Sequence, residues 1–451
     1  MNDLIREARL FLGLRSALVA ILGLFLLASA GVGAGLLEAQ RQADVIRRIG
    51  PQQAGDVQAI SDWVSRDKDA GNAAYYTFHA TWDPPSDLAF AALGARDVAP
   101  YVLRVRALGL EAQLYEGEIG NPEALLPGRF DFAFVLVYLA PLFAILLFHD
   151  LRSGEREAGR LRSLEAAVGD GRRLWSCRVA IRMAALSLAL ALPFLTGAAV
   201  AGTAAWKAAS VLVLIVGYLA FWTVLCLVIG RAARGSLANA MTLAVTWLVL
   251  TILAPAVGHV AINSAVPLRQ GMELSLLQRS AVHRAWDIPK DQTMRAFFAT
   301  HPEWAATAPV TGPFHWKWYF AFHQVGDQSV AGLARTYHDG ILERAAWSER
   351  LGHLLPGVGV QLALHRLADT DPAAQMAYQD QVRDFHSRLR RFYYPYIFNE
   401  TPFDVGDFAK APAFQPRADG GRWPGSLVAG LLLVTLAVGS AGLARGRRRS
   451  A

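Results

Sequence analysis

The chain has 451 residues, 53% of them hydrophobic, and a formal net charge of +7. Several apolar runs approach the ~20 residues that cross ~30 Å of hydrocarbon, which excludes a wholly soluble protein. The positive excess lies in the short loops between those runs and not on one basic face, which argues against nucleic acid as a partner. Only Cys177 and Cys226 are cysteines, too few for a disulfide framework or a CxxC metal site.

Residues 1–37 are predicted to form an interfacial helix and the first span. Leu4, Ile5, Leu10, Phe11 and Leu14 fall on one helical face with Arg6, Arg9 and Arg15 among them, and an apolar run follows from Leu18 to Leu37. The alternative is a signal peptide cut at Ala28-Ser29-Ala30; the run continues past that site, which favours a span. Residues 38–130 are polar and are expected to form a first extracytoplasmic domain. It would hold a helix over Asp56 to Lys68, an aromatic patch at Tyr75 to Trp82, and turns at Pro84-Pro85, Gly120-Asn121-Pro122 and Pro127-Gly128. Residues 131–149 give the second span, with Pro141 as a kink whose freed carbonyl a neighbouring helix must satisfy.

Residues 150–178 are charged, rich in Arg and free of Lys, and they sit between two apolar runs. Such a segment stays in water beside the membrane, and its cations mark the cytoplasmic side. Ser153 is positioned to cap a helix that Gly154 opens, Glu155-Arg156-Glu157 loads its first turn, and Leu161, Leu164 and Val168 recur at helical spacing. The segment reads as an amphipathic docking surface. Residues 179–262 supply spans three to five, with Trp206-Lys207 at the outer turn and Arg231 to Arg234 at a positive inner turn. On span five, Asn239, Thr242 and Thr246 share a face and are candidates to line a pathway; hydrogen bonding between helices is the commoner role for such residues. No intramembrane acid or base suggests a proton relay.

Residues 263–422 are far too long for a loop and are expected to form a second extracytoplasmic domain, mostly helical, with amphipathic stretches at Leu274 to Ala285, Gln328 to Arg350 and Ala373 to Arg391. Its aromatic groups, His315 to Phe320 and Phe392 to Tyr396, suit a core or the outer leaflet, and Arg390-Arg391 reads as a solvated helix end. Residues 423–451 give span six, anchored by Trp423 and followed by the basic tail Arg445 to Arg449. The fold class is therefore a mainly α membrane protein with six transmembrane helices, two extracytoplasmic domains and both termini cytoplasmic. A bacterial inner membrane suits the composition.

Catalysis finds little support. There is no G-x-x-x-x-G-K-[ST], H-E-x-x-H or G-x-S-x-G stretch. Eight histidines lie in the second polar region, His283, His301, His315, His323, His338, His353, His365 and His386, but their wide spacing lacks the short local pairs of metal sites.

The stretch His149-Asp-Leu-Arg-Ser-Gly-Glu-Arg-Glu-Ala-Gly-Arg-Leu-Arg-Ser-Leu164 resembles the cytoplasmic segment of ABC-2 type permeases, an aspartate followed by G-E-R-E-x-G-T-L and a leucine pair. Arg160 replaces the usual threonine and Ser163 interrupts the leucines. A second stretch, Leu355-Pro356 to Gln361, Leu367-Ala-Asp-Thr-Asp371, Phe385 and Phe392-Tyr-Tyr-Pro395, is similar to the permease branch with a long extracytoplasmic domain of unknown function (DUF3526-like). Asp369 stands where glycine is common in that turn.

The resemblance implies the membrane subunit of an ATP-binding cassette system, itself not an enzyme and holding no cofactor. ATP and Mg would be bound by a separate ATPase docked on Ser153, Gly154, Glu155, Arg156, Glu157, Gly159, Leu161 and Leu164. Six spans imply half a translocation path, hence a homodimer or a heterodimer with a sister permease in the lipid bilayer. Export of a substrate is the first expectation. The alternative is a mechanotransmission scaffold acting on a periplasmic or outer-membrane partner without transport, and an outward-facing metal enzyme built on the histidines ranks third.

Overall fold

The longest element carries the chain from its first apolar run into its first polar region. In the computed structural model, which describes residues 2–115, 130–168, 171–231, 235–268, 271–417 and 420–450, helix α2 runs unbroken from Arg15 to Asp67. The short helix α1 (Asn2–Leu12) precedes it. The sequence reading ends the first helix near Leu37, where polarity begins, but polarity alone does not stop a helix. Glu38 bonds Arg41 at 2.8 and 3.0 Å and Gln42 at 3.1 Å, Asp44 pairs with Arg47, and Pro51 is accommodated inside. The helix stops at Lys68, which turns left-handed at φ 51°. From Glu38 onward it projects roughly 45 Å beyond its apolar part, at about 1.5 Å per residue.

Among the described residues, six helices are long and apolar enough to cross a membrane: Arg15–Val64, Phe132–Glu157, Gly171–Ala201, Ala205–Gly230, Ser236–Ala265 and Gly425–Ala444, here spans one to six. Span three begins well before the Val179 expected from hydropathy, because Arg172 to Arg178 continue its helix. Spans two and five each contain a widened π turn, Val135–Leu139 and Val249–Leu253, just ahead of Pro141 and Pro255. Pro141 offers no N–H to Val137, four residues back. The Tyr218 hydroxyl of span four donates to that carbonyl at 3.0 Å, and Trp247 Nε1 of span five donates to the neighbouring Tyr138 carbonyl at 3.2 Å. The kink anticipated at Pro141 is thus served by two neighbouring helices.

The two polar regions share one core at the end of the bundle away from the charged segment, so they form one body and not two domains. Val64, Leu103, Val105 and Tyr115 pack in a single cluster with Phe297, Trp318, Phe320, Tyr378, Phe385, Tyr393, Phe403 and Phe414. Strands β1 (His79–Trp82) and β2 (Val102–Val105) pair antiparallel beside it. Helices α3 (Gly271–Arg284), α4 (Lys290–Thr300), α5 (Trp316–Leu354), α6 (Pro356–Ala368) and α7 (Pro372–Phe398) supply the rest of the frame. The His315 to Phe320 group belongs to this core. Trp318 and Phe320 are buried, and Trp316 Nε1 donates to Asp69 at 3.0 Å.

Helices α5 and α6 form a hairpin that descends into the bundle, although the sequence reading keeps residues 263–422 wholly outside it. Leu351 packs on Gly258 of span five and His353 on Gly430 of span six. Val360, Ala363, Leu364 and Leu367 belong to the same core as the spans. Gly357 lies beside the Tyr218 hydroxyl, near the middle of the 26-residue helix Ala205–Gly230. The two arms touch backbone to backbone: a Cβ on Gly359 would come within 2.5 Å of the Gly352 carbonyl oxygen, so only glycine fits. Arg366 clamps them by a bidentate pair with Glu349 at 2.7 and 3.2 Å, and Ser426 of span six adds a bond to Glu349 at 2.8 Å. Helix α6 ends on Asp369 at φ 56°, the left-handed position that gives glycine its advantage there.

The turns at Gly120-Asn121-Pro122 and Pro127-Gly128 and most of the inner turn at Arg231 to Arg234 lie outside the described residues.

Candidate docking segment

The charged segment is an elbow of two short helices, Ser153–Glu157 and Leu161–Val168, bent at Gly159 (φ 70°). Ser153 is not the cap: Arg152 holds that position without a side-chain bond, and Ser153 is already helical and buried. Its hydroxyl meets Ser236 Oγ at 2.9 Å and Asn239 Nδ2 at 3.3 Å. Gly154 packs over Asp150, where a Cβ would make ordinary contact at 3.6 Å.

The two carboxylates are wired into the rest of the chain. Glu155 accepts from Arg160 Nε at 3.0 Å and from Arg178 NH1 at 2.9 Å, and Arg178 Nε reaches Glu7 of α1 at 2.9 Å. Glu157 accepts from the Ser236 backbone N–H at 2.6 Å and from its hydroxyl at 2.9 Å, so it caps the start of span five from another helix. A carboxylate is favoured there because the first N–H groups of a helix have no partner of their own. Arg152 adds a bond to Glu165 at 2.9 Å across the elbow. These bonds tie the elbow to α1, span three and span five. The elbow's solvent-facing residues include Arg152, Arg156, Glu157, Arg160 and Arg162, with Leu161 and Leu164 half-buried.

Of the three candidate pathway residues, only Asn239 bonds across helices. It is fully buried, and besides Ser153 its Nδ2 lies 3.4 Å from the His149 carbonyl. Thr242 and Thr246 donate to their own helix, at Ala238 and Thr242, each at 2.7 Å. The site thus brings Ser153, Glu157 and Asn239 together with Ser236 and leaves Thr242 and Thr246 apart from it. Periodicity did not point to Arg178 and Glu7. Their signal is an acid on an amphipathic helix and a base in the first turns of a span, each needing a partner near apolar surroundings.

Three histidines of the body, His79, His323 and His386, are held by contacts inside its core. His386 Nε2 donates to the Arg106 carbonyl at 2.9 Å, His79 Nε2 lies 3.2 Å from the Tyr393 hydroxyl, and His323 Nδ1 accepts from the Gly109 N–H at 3.3 Å. Burial pushes the His79 imidazole down to about 4, His323 to about 3, and His386 well below its ordinary value. Among the described residues no three His, Cys, Asp or Glu side chains converge as metal ligands. Arg390 is no solvated helix end. It is buried and pairs with Asp327 at 2.7 Å, and α7 runs on to Phe398.

Residues 272–417 match the family model for a domain of unknown function, DUF3526. The DUF3526 region therefore covers the helical part of the body and the hairpin that enters the bundle, together with the turn at Asp369. No curated protein and no solved structure matches the chain.

Proposed function

We propose that this chain is the membrane subunit of an ATP-binding cassette exporter of the ABC-2 type, driven by a separate ATPase that docks on the elbow between spans two and three. The observation that carries this reading is the wiring of the elbow. Glu155 through Arg178 and Glu7, and Glu157 through Ser236, tie one charged, water-facing segment to the starts of spans three and five and to α1. Such a segment converts a push from a partner into helix movement, and the chain carries no phosphate-binding loop of its own. The DUF3526 match and the six apolar helices are consistent with it. Span five exposes Leu237, Met241, Val245, Val257 and Val260 along one side, a surface suited to lipid or to a second permease copy.

The segment faces the cytoplasm in this proposal and the body faces outward. The test is a pull-down of the tagged full-length chain in mild detergent. Because Glu155 and Glu157 hold the chain's own helices, the informative variant is Arg162→Glu, at an exposed position of the elbow. An ATPase should co-purify with wild type and be lost with the variant while the melting temperature is kept. Absence of an ATPase with both forms overturns the reading.

A second reading, force transmission to a partner outside the membrane without transport, is favoured by one feature. The unbroken helix Arg15–Asp67 joins the bundle to the body as a single rod. It predicts ATP-dependent movement of the body in spin-label distances with no substrate flux.

A further inference from the structure

The body contains a cleft of about 560 Å³ that the elbow mechanism does not use. Its long walls are facing sides of α5 and α7: Gln324, Asp327, Gln328 and Ala331 on one, Arg383, Ser387, Arg390 and Tyr394 on the other. The segment Thr300 to Trp304 closes one end and Leu110-Glu111 the other, so both polar stretches of the sequence build it. The volume lies within the ~300–1,000 Å³ of small-molecule sites.

The charges of this cleft are already spent. Arg390 is held by Asp327 at 2.7 Å and by the Leu108 carbonyl at 2.6 Å. Asp327 in turn accepts two contacts of 2.9 Å from the Leu110 N–H. Arg383 reaches Glu111 at 3.2 and 3.3 Å and the Tyr115 hydroxyl at 3.1 Å. A charged ligand would have to break these pairs or rely on the exposed rim, where Arg391 and Glu303 offer opposite signs. Gln324 Oε1 accepts from the Tyr394 hydroxyl at 3.0 Å, Gln328 Nε2 donates to Thr300 Oγ1 at 2.8 Å and Ser387 Oγ accepts from Arg391 at 3.1 Å. A purely apolar ligand would still strip water from the Gln324 amide N–H, the Gln328 amide oxygen, the Ser387 O–H and the outward lone pairs of the paired carboxylates. A neutral ligand dense in hydroxyls meets both demands, because each hydroxyl both donates and accepts. The end wall adds an apolar surface: Trp304 is half-buried, one side of its indole stacked on Phe398 at 5.5 Å, and His301 stacks on Phe297 at 4.6 Å. A pyranose ring has hydroxyls at its edge and a C–H face for such a wall.

We infer that this cleft binds a neutral saccharide of one or two rings. The inference rests on the body alone and stands whether or not an ATPase drives the bundle. It is tested with the full-length chain in lipid nanodiscs, free of maltoside detergent, titrated calorimetrically with maltose, cellobiose and N,N′-diacetylchitobiose. Saturable binding of at least one at a single site per chain is expected. Ala331→Trp, which fills the cleft without touching the ion pairs, and Gln328→Leu should each weaken it at least ~10-fold, with the melting temperature held within ~2 °C. Three results overturn it: no saturation with any of the three, binding that both variants leave unchanged, or saturation by a dipeptide or inorganic phosphate in place of the sugars.

Discussion

Tyr218→Phe removes one oxygen from the middle of span four and leaves the ring packing as it was. The oxygen donates to the Val137 carbonyl at 3.0 Å, which Pro141 cannot serve. Orphaning a buried carbonyl costs ~1–3 kcal/mol in general, whereas hydrogen bonds between transmembrane helices average ~0.6 and reach ~1.7 kcal/mol because the unfolded chain in lipid also finds partners. The depth of Tyr218, less than 2% exposed, argues for the upper part of the second range, about 1–1.5 kcal/mol. The decisive measurement is a double-mutant cycle with Pro141→Ala, read by steric-trap unfolding in bicelles. Alanine restores an N–H at position 141, so Tyr218→Phe should become nearly neutral in that background, giving a coupling of about 1 kcal/mol. An equal cost of Tyr218→Phe in both backgrounds would refute the claim that the tyrosine serves the proline kink.

Three further outcomes follow from the packing and the charges. Gly359→Ala should destabilise the bundle by ~1–3 kcal/mol, because its Cβ meets the Gly352 carbonyl; the same unfolding assay reads it, and Gly332→Ala, with open space around it, is the control. Glu157→Ala should uncap span five, seen as faster hydrogen exchange at the amides from Ser236 to Asn239 with unchanged exchange in span three. The body should lose stability as pH falls. His79, His323 and His386 stay neutral when folded, while in the unfolded chain they take up protons near 6.5, so the unfolded state binds more protons below that value and the loss continues toward the folded value of about 4 for His79. Melting curves at pH 7.5 and pH 5 should show the decrease, and His79→Asn should reduce it.

Most of the membrane architecture was legible because lipid imposes a one-dimensional rule. A helix must satisfy its own backbone and show apolar side chains over a fixed length, and both requirements can be read from local sequence. The elbow was legible for the same reason in reverse, since the charges from Arg152 to Glu165 cannot enter hydrocarbon. The reading went wrong where composition was taken for structure. Glu38 and the residues after it are polar yet continue the first helix, held by pairs three and four residues apart, and Arg172 to Arg178 begin span three.

Burial inside the body followed no local rule at all. His323, His386 and Arg390 look like surface residues until α5 and α7 face one another and Asp327, Gly109 and Arg106 arrive from distant parts of the chain. Local sequence sufficed for the number of long apolar helices, for the limits of all but the first to within a few turns, and for the polar segment between the second and third, because apolar length and charge are local quantities; the end of the first, at Asp67 in place of Leu37, was not legible. The tertiary structure alone decided that the two polar regions share one core, that Leu351 to Leu367 descend into the bundle, and that Glu155 and Glu157 are engaged within the chain. Each of these depends on which distant groups satisfy a buried charge or fill a gap beside a glycine, and that pairing exists only after the helices have packed.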